Sequence, residues 1–520
     1  MAESLGGRLL RKKSVAQTQR EATSHSLKRT LGPVNLVMLG VGCIIGAGIY
    51  VMTGQAAATF AGPAVLLSFV IAGIACGFAG LCYAELASTM PVAGSAYTYS
   101  YTSMGEVFAW IMGWLLVLEY GVAAATVAAG WSGYVASFLN DFGITLSSAV
   151  STSFVQSSAD AAGHLTFSTT GNINFVAAGG ILMVTALLVI GISESAAVNN
   201  VIVFIKVGVL LAFILMGVGF VNPANWTPFI PPNQGGFTYG VPGVFRAASV
   251  IFFAYVGFEA VSTAAGESRN PNKDMPIGIL GSLALCTVIY MAVAAVLTGI
   301  VPYAQLGVRE PIALAVDRMG MPWFSFLIKV GAIAGLSSVM LILTYGQSRV
   351  FYAMARDGLL PRAFATIHAK FRTPWIGTIL LGSLIALASS LLPITILGDL
   401  VSLGTAFAFA MVCVSVIWLR KARPDLKRPF TAPWGMWTPV LGIVFAAIMA
   451  APLIIDIIAK AMNDDPIPAY ILGSYLLLGT AIYVFYGYSN SRLGKGLDVL
   501  DDTALQGPLE AIAHGVDDRR

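Results

Sequence analysis

Apolar residues along this chain mostly neither alternate nor recur on one helical face. They run on. Stretches long enough to cross ~30 Å of hydrocarbon fall at roughly 34–57, 63–90, 105–139, 173–192, 198–220, 243–265, 276–301, 322–345, 374–393, 396–419, 438–458 and 468–488. The pattern predicts an all-α integral membrane protein with twelve transmembrane helices. The third run is long and should tilt or extend past the bilayer. Two runs carry an interruption at their midpoint. The first reads Gly40-Val41-Gly42-Cys43-Ile44-Ile45-Gly46-Ala47-Gly48-Ile49-Tyr50, and the sixth reads Phe252-Phe253-Ala254-Tyr255-Val256-Gly257-Phe258-Glu259-Ala260. Unpaired backbone is very costly in lipid, so a spanning helix breaks only where its freed N–H and C=O groups face a cavity or a ligand. Two breaks five spans apart predict two related halves and a site where they meet at mid-membrane.

Composition agrees with a bilayer solvent. Apolar residues make up 57% of the 520 and charged residues 10%, against about a quarter charged in soluble chains. The net charge of +4 says little, but its distribution says more. With the N-terminus inside, 23 of the 29 Lys and Arg fall on the cytoplasmic side, and the outer loops hold only Arg309, Arg318 and Lys460. Loop 140–172 has neither Lys nor Arg. This bias predicts an even number of spans with both termini in the cytoplasm. The expected organisation is a basic N-terminal tail over 1–30, a first repeat over 31–220, a second over 243–419, two further spans over 438–488, and a tail over 489–520. Five spans per repeat invert the second copy relative to the first. The tail 1–30 has no secretory h-region; it reads either as an amphipathic surface helix or as a disordered segment.

The interruptions carry the candidate chemistry. Gly42, Gly46 and Gly48 remove side chains from the first break. The half-helix restarting near Ile49 would offer free N–H groups and a positive dipole end to a carboxylate. Close helix packing through Gly42 and Gly46 is the competing reading of the same spacing. In the sixth run Phe253, Ala254 and Val256 would expose carbonyls suited to an ammonium group. Donors on one break and acceptors on the other define an α-amino acid. Phe252 and Phe253 add bulk for a gate over it, or are ordinary core and lipid-facing rings.

Ionisable residues inside spans are rare and usually functional. Lys206 either carries a proton, stands as a fixed positive charge in place of a sodium ion, or tethers carbonyls of a broken helix. Glu119 either meets the substrate side chain, lines a water path, or bonds helix to helix. Glu259 sits at the second break. Glu85 and Asp399 also fall in or near spans, and Lys329 and Asp456 read as snorkelling to an interface. The five cysteines all lie in apolar runs, without metal-ligand spacing or a loop partner, so neither disulfide nor metal is assigned. The four histidines are scattered, and no phosphate-cradling Gly-x-x-x-x-Gly-Lys-Ser/Thr loop is present, which argues against ATP-driven transport within this chain and against an enzyme.

Several motifs together resemble the amino acid–polyamine–organocation transporters, specifically the bacterial members of the cationic amino acid transporter subfamily. They are Leu27-Lys28-Arg29-Thr30-Leu31-Gly32; Gly42 to Ile49; Tyr83-Ala84-Glu85-Leu86-Ala87 with Pro91 and Gly94; Gly130-Trp131-Ser132-Gly133-Tyr134; Phe252 to Ala265; Gln347 to Pro361; and Arg423-Pro424-Asp425-Leu426 with Arg428-Pro429-Phe430. The similarity runs from about Leu27 to Gly494. It implies a 5+5 inverted repeat with broken helices 1 and 6, two extra helices, and alternating access. It implies carboxylate binding along Ile44, Ile45, Gly46, Ala47 and Gly48, and amine binding at Phe253, Ala254 and Val256. It implies that Leu343 lines the side-chain pocket, that Glu119 and Glu259 lie near it, and that Lys206 and Glu259 take part in proton coupling. Where members commonly carry Gly-Thr-Gly, this chain has Gly46-Ala47-Gly48, which removes one hydroxyl and leaves the backbone donors.

The expected function is a proton-coupled permease importing an L-amino acid across the bacterial inner membrane, with no cofactor and no nucleic-acid partner. Lipids surround it, and a small single-pass membrane protein is an open partner. Leu343 and the phenylalanines favour a small or apolar side chain, while Glu119 keeps a cationic one open. The alternatives are an uncoupled amino acid or polyamine exchanger and a non-transporting amino acid sensor.

Overall fold

The computed structural model describes residues 11–13, 31–90, 95–159, 165–191, 196–462 and 465–496. The expectations for most of the N-terminal tail, for Leu27 to Thr30, Pro91 and Gly94, and for the tail beyond 496 lie outside the described residues.

Every expected run falls on helix. Among the described residues nine segments are long and apolar enough to cross a membrane, and Pro33–Ile44, Phe175–Ile190 and Trp375–Leu391 are shorter apolar helices. In chain order the main elements are α1 (Pro33–Ile44), α2 (Val65–Thr89), α3 (Ser95–Ser103), α4 (Glu106–Leu116), α5 (Ala123–Asn140), α6 (Phe175–Ile190) and α7 (Ala196–Gly217). They continue with α8 (Gly240–Ile251), α9 (Pro271–Ile300), α10 (Pro311–Arg318), α11 (Pro322–Arg356), α12 (Trp375–Leu391), α13 (Ile394–Ala422), α14 (Trp437–Met462) and α15 (Ile467–Ile482). The third run is continuous from Glu106 to Asn140, with a π-helical segment at Val117–Val122 joining α4 to α5.

Two short elements were not legible in the run pattern. Helix α3 is built of Ser, Tyr and Thr with one Ala, and is buried throughout. Loop 140–172 holds an antiparallel hairpin of β1 (Val155–Ala159) and β2 (Leu165–Thr169), a small exception to the all-α expectation.

Packing puts the broken segments inside. Helix α9 packs on α1 and α2, α11 on α5, and α8 on α2, so the interrupted chain after α1 and after α8 is enclosed. The segment Gly240–Ala265 is the most buried of the spanning segments, whereas Ile467–Asn490 is the least buried. A helix apolar all round and facing outward needs lipid to cover it.

The two charges expected to snorkel, Lys329 and Asp456, are paired instead. Lys329 is buried and its Nζ lies 2.7 Å from Asp141. Asp456 accepts from Arg246 at 3.0 Å and from Lys460 at 3.0 Å. Arg246, on α8, also grips Asp399 of α13 through two bonds of 3.1 and 2.7 Å and stacks over the Phe60 ring. Burying a full charge costs several kcal/mol unless it is paired, and these pairs remove the need to reach water. Glu85 is bound by Arg420 and by the Ala432 N–H.

Candidate functional site

Two glycines set how closely the breaks approach. A Cβ on Gly48 would lie 2.3 Å from Ala254 Cα, and one on Gly257 would lie 2.8 Å from Cys43 Cβ and 2.9 Å from its carbonyl carbon. Gly257 also holds φ 117°, a conformation glycine alone adopts without strain. Backbone therefore packs on backbone at mid-bundle.

At the first break α1 ends at Ile44, Ile45 turns extended (φ −72°, ψ 95°), and the chain restarts in a π-helical turn at Gly48–Met52. The orphan carbonyls of the last helical turn receive side-chain donors. Lys206 Nζ reaches the Gly42 carbonyl at 2.9 Å, and the Tyr290 hydroxyl reaches that of Ile44 at 2.7 Å. Among the described residues the Gly46 N–H has no acceptor.

At the second break α8 passes into a 3-10 turn at Phe252–Tyr255, extends at Val256 (ψ 132°), turns left-handed at Gly257, and continues as a 3-10 helix over Phe258–Glu267. The Val256 N–H donates to the Phe253 carbonyl at 3.1 Å, so that carbonyl is less free than the sequence implied. The Gly257 N–H donates to both carboxylate oxygens of Glu259, at 3.1 and 2.9 Å. Glu259 thus caps the restarted helix, and the Ala254 carbonyl is not taken up by the Gly257 N–H.

Both breaks wall one small cavity. Cys43, Ile44, Gly46, Ala47 and Gly48 line it from the first, Phe253 and Val256 from the second, Val127 from α5, and Val339 and Leu343 from α11. Its volume is about 10 Å³, roughly the room for one water molecule, so the structure holds the site closed down. Ile45, Ala254, Phe252 and Glu119 do not line it. Phe252 packs edge-on against Phe409, 5.4 Å between centroids. Glu119 sits fully buried on the π-helical segment, and among the described residues neither carboxylate oxygen has a hydrogen-bond partner. Cys43, Val127 and Val339 are the members sequence reasoning missed. Val339 precedes Leu343 by one helical turn, which was the available signal.

A larger cavity of about 630 Å³ lies on the hairpin side, with Val51 and Gly130 in its wall one turn from Gly48 and Val127. At the end where the described chain termini lie, polar contacts tie the bundle together. Lys13 is buried against Asp357 at 2.7 Å and over the Tyr101 ring, the Tyr97 hydroxyl donates to the same carboxylate at 2.7 Å, and Arg11 donates to the Leu493 carbonyl at 3.0 Å. The arrangement sets two backbone breaks around one small space, with a larger cavity on the hairpin side and a cluster of polar contacts at the other end.

Residues 31–489 match the family model described as amino acid permease. The chain belongs to that family. It is an amino acid–polyamine–organocation transporter of the cationic amino acid transporter-like bacterial kind, a transporter and not an enzyme. Among its relatives, the branched-chain amino acid permease BcaP of Bacillus subtilis (strain 168) is 43% identical over 94% of this chain and 100% of its own length. The methylthioribose transporter of the same organism is 41% identical over 94% of this chain and 99% of its own. Cationic amino acid transporter 2, vacuolar, of Arabidopsis thaliana is 38% identical over 80% of this chain and 64% of its own. This permease is a multi-pass membrane protein that moves a small-molecule amino acid.

Proposed function

We infer that this permease imports a neutral, apolar L-amino acid of the branched-chain type, driven by protons, by alternating access around the two breaks. The apolar wall of the small cavity carries the reading. Val127, Val256, Val339 and Leu343 suit an aliphatic side chain, and the 43% identical relative is a branched-chain amino acid permease. The carboxylate sits at the first break, from Ile44 and Ile45 to the unpartnered Gly46 N–H, Ala47 and Gly48. The ammonium sits at the carbonyls of Phe253, Ala254 and Val256. Phe253 is the gate ring, with Phe252 behind it. Glu119 lies beyond the aliphatic wall on the water path, and Lys206 and Glu259, each bonded to the backbone of one break, link protonation to its opening. The two broken helices head inverted repeats of five spans, in the inner membrane, with lipid around the outer helices and both termini in the cytoplasm. A small single-pass protein against the exposed final helices fits the same picture.

A second reading rests on the relative named a methylthioribose transporter. A thio-sugar lacks both charged ends and would leave the donor and acceptor breaks unused. Proteoliposomes given labelled leucine, alanine, arginine and methylthioribose, with and without an inward proton gradient, separate these. Leucine accumulation only with the gradient is the expected result. Gradient-independent counterflow would favour an exchanger, binding without movement a sensor, and methylthioribose uptake alone would sink the amino acid reading.

A further inference from the structure

The 630 Å³ vestibule has a chemistry of its own. Among the described residues that line it, Arg309 alone is charged; the rest are amides, hydroxyls and apolar groups. Its guanidinium is held in place: Nη1 donates to the Ser151 carbonyl at 2.6 Å, and its stem crosses Gly133, where a Cβ would come within 2.6 Å of it. Among the described residues this is its one hydrogen bond, which leaves the other donors of the planar fork for a ligand. Gln55 stands beside it, its Nε2 spent on the Val308 carbonyl at 3.0 Å, so its amide oxygen is the group left to accept. Thr395 Oγ1 is buried in the same wall and, among the described residues, has no hydrogen-bond partner. Glu310, next in the chain, does not line the cavity, and burial pushes its carboxyl up from the ordinary range.

We propose that this vestibule is a second binding site for the carboxylate of an incoming free amino acid, with Arg309 as its anion partner and Gln55 and Thr395 as acceptors for the ammonium. The site rests on the transport reading above. It lies on the path to the small cavity, one helical turn away through Val51 and Gly130. Its single positive charge in a low-dielectric wall concentrates carboxylates and disfavours a ligand with net positive charge. Entry is thereby biased toward neutral amino acids before the aliphatic pocket is reached.

Reconstituted protein and labelled L-leucine test the proposal. Arg309→Gln should raise the half-saturating leucine concentration about tenfold, the order expected for one lost charge-assisted hydrogen bond. Arg309→Lys should recover most of that, and Thr395→Val should raise it by roughly threefold, as for losing one of two acceptors that share the ammonium. L-lysine should also compete better against leucine in Arg309→Gln than in the unmodified protein. Wild-type half-saturation in Arg309→Gln overturns the proposal. Should Arg309→Gln not elute as a folded protein, Thr395→Val decides, and an unchanged value there overturns it equally. Unmodified protein that moves no amino acid at all brings down the transport reading and this site with it; active unmodified protein with indifferent variants brings down this site alone.

Discussion

Lys206 Nζ donates to the Gly42 carbonyl at 2.9 Å, with the lysine fully buried. One side chain from α7 thus serves a helix end that the break leaves open. Losing the donor strands a buried carbonyl, which costs about 1–3 kcal/mol. Lys206→Met should therefore unfold at a lower temperature in detergent. It should also fail to accumulate leucine under a proton gradient. Wild-type accumulation by Lys206→Met would remove the lysine from coupling and leave it a tether.

Gly257 meets Cys43 backbone to backbone at a positive φ. Gly257→Ala has no conformation free of strain, and a residue forced there costs of order 1–3 kcal/mol before any clash is counted. Gly77 is the control, since a Cβ there meets nothing within 4 Å. Gly77→Ala should gain about 0.5–1 kcal/mol from helix propensity. Thermal unfolding of the pair should move in opposite directions.

Arg246 holds Asp399 and Asp456 together from α8, α13 and α14. Arg246→Met leaves two carboxylates with one cation, Lys460 on Asp456, and should cost about 3–5 kcal/mol. Removing both acids as well should restore much of the loss, because an apolar cluster avoids the desolvation of all three charges. A triple variant no more stable than Arg246→Met would contradict that account.

Glu310 lies in the loop before α10, and burial raises its pKa from the ordinary 4.5 against the opposing pull of Arg309 and Lys329. The folded protein therefore keeps a proton that the unfolded chain has lost. The contribution favours folding below about pH 4.5 and is lost as pH rises through the raised folded value. Glu310→Gln should raise the unfolding temperature at pH 7.5 and leave it nearly unchanged at pH 4.5. An equal shift at both pH values would show that burial of this carboxyl does not set the effect.

Membrane residence, the positions of the helices and the two breaks follow from the sequence alone. Apolar length, charge placement and glycine spacing are local properties, and lipid enforces them through backbone hydrogen bonding. Seven of the residues expected at the site, from Ile44 to Leu343, line the small cavity because they sit on or beside the breaks. Only the tertiary structure decided which partner each buried charge finds. Arg246 stands inside an apolar run, yet nothing in that run names Asp399 or Asp456, some 150 and 210 residues on. Likewise Val127 and Val339 enter the pocket through helix rotation and packing, and Arg309 enters the vestibule from the loop before α10. Those are set by contacts between distant segments, and a linear pattern holds no record of them.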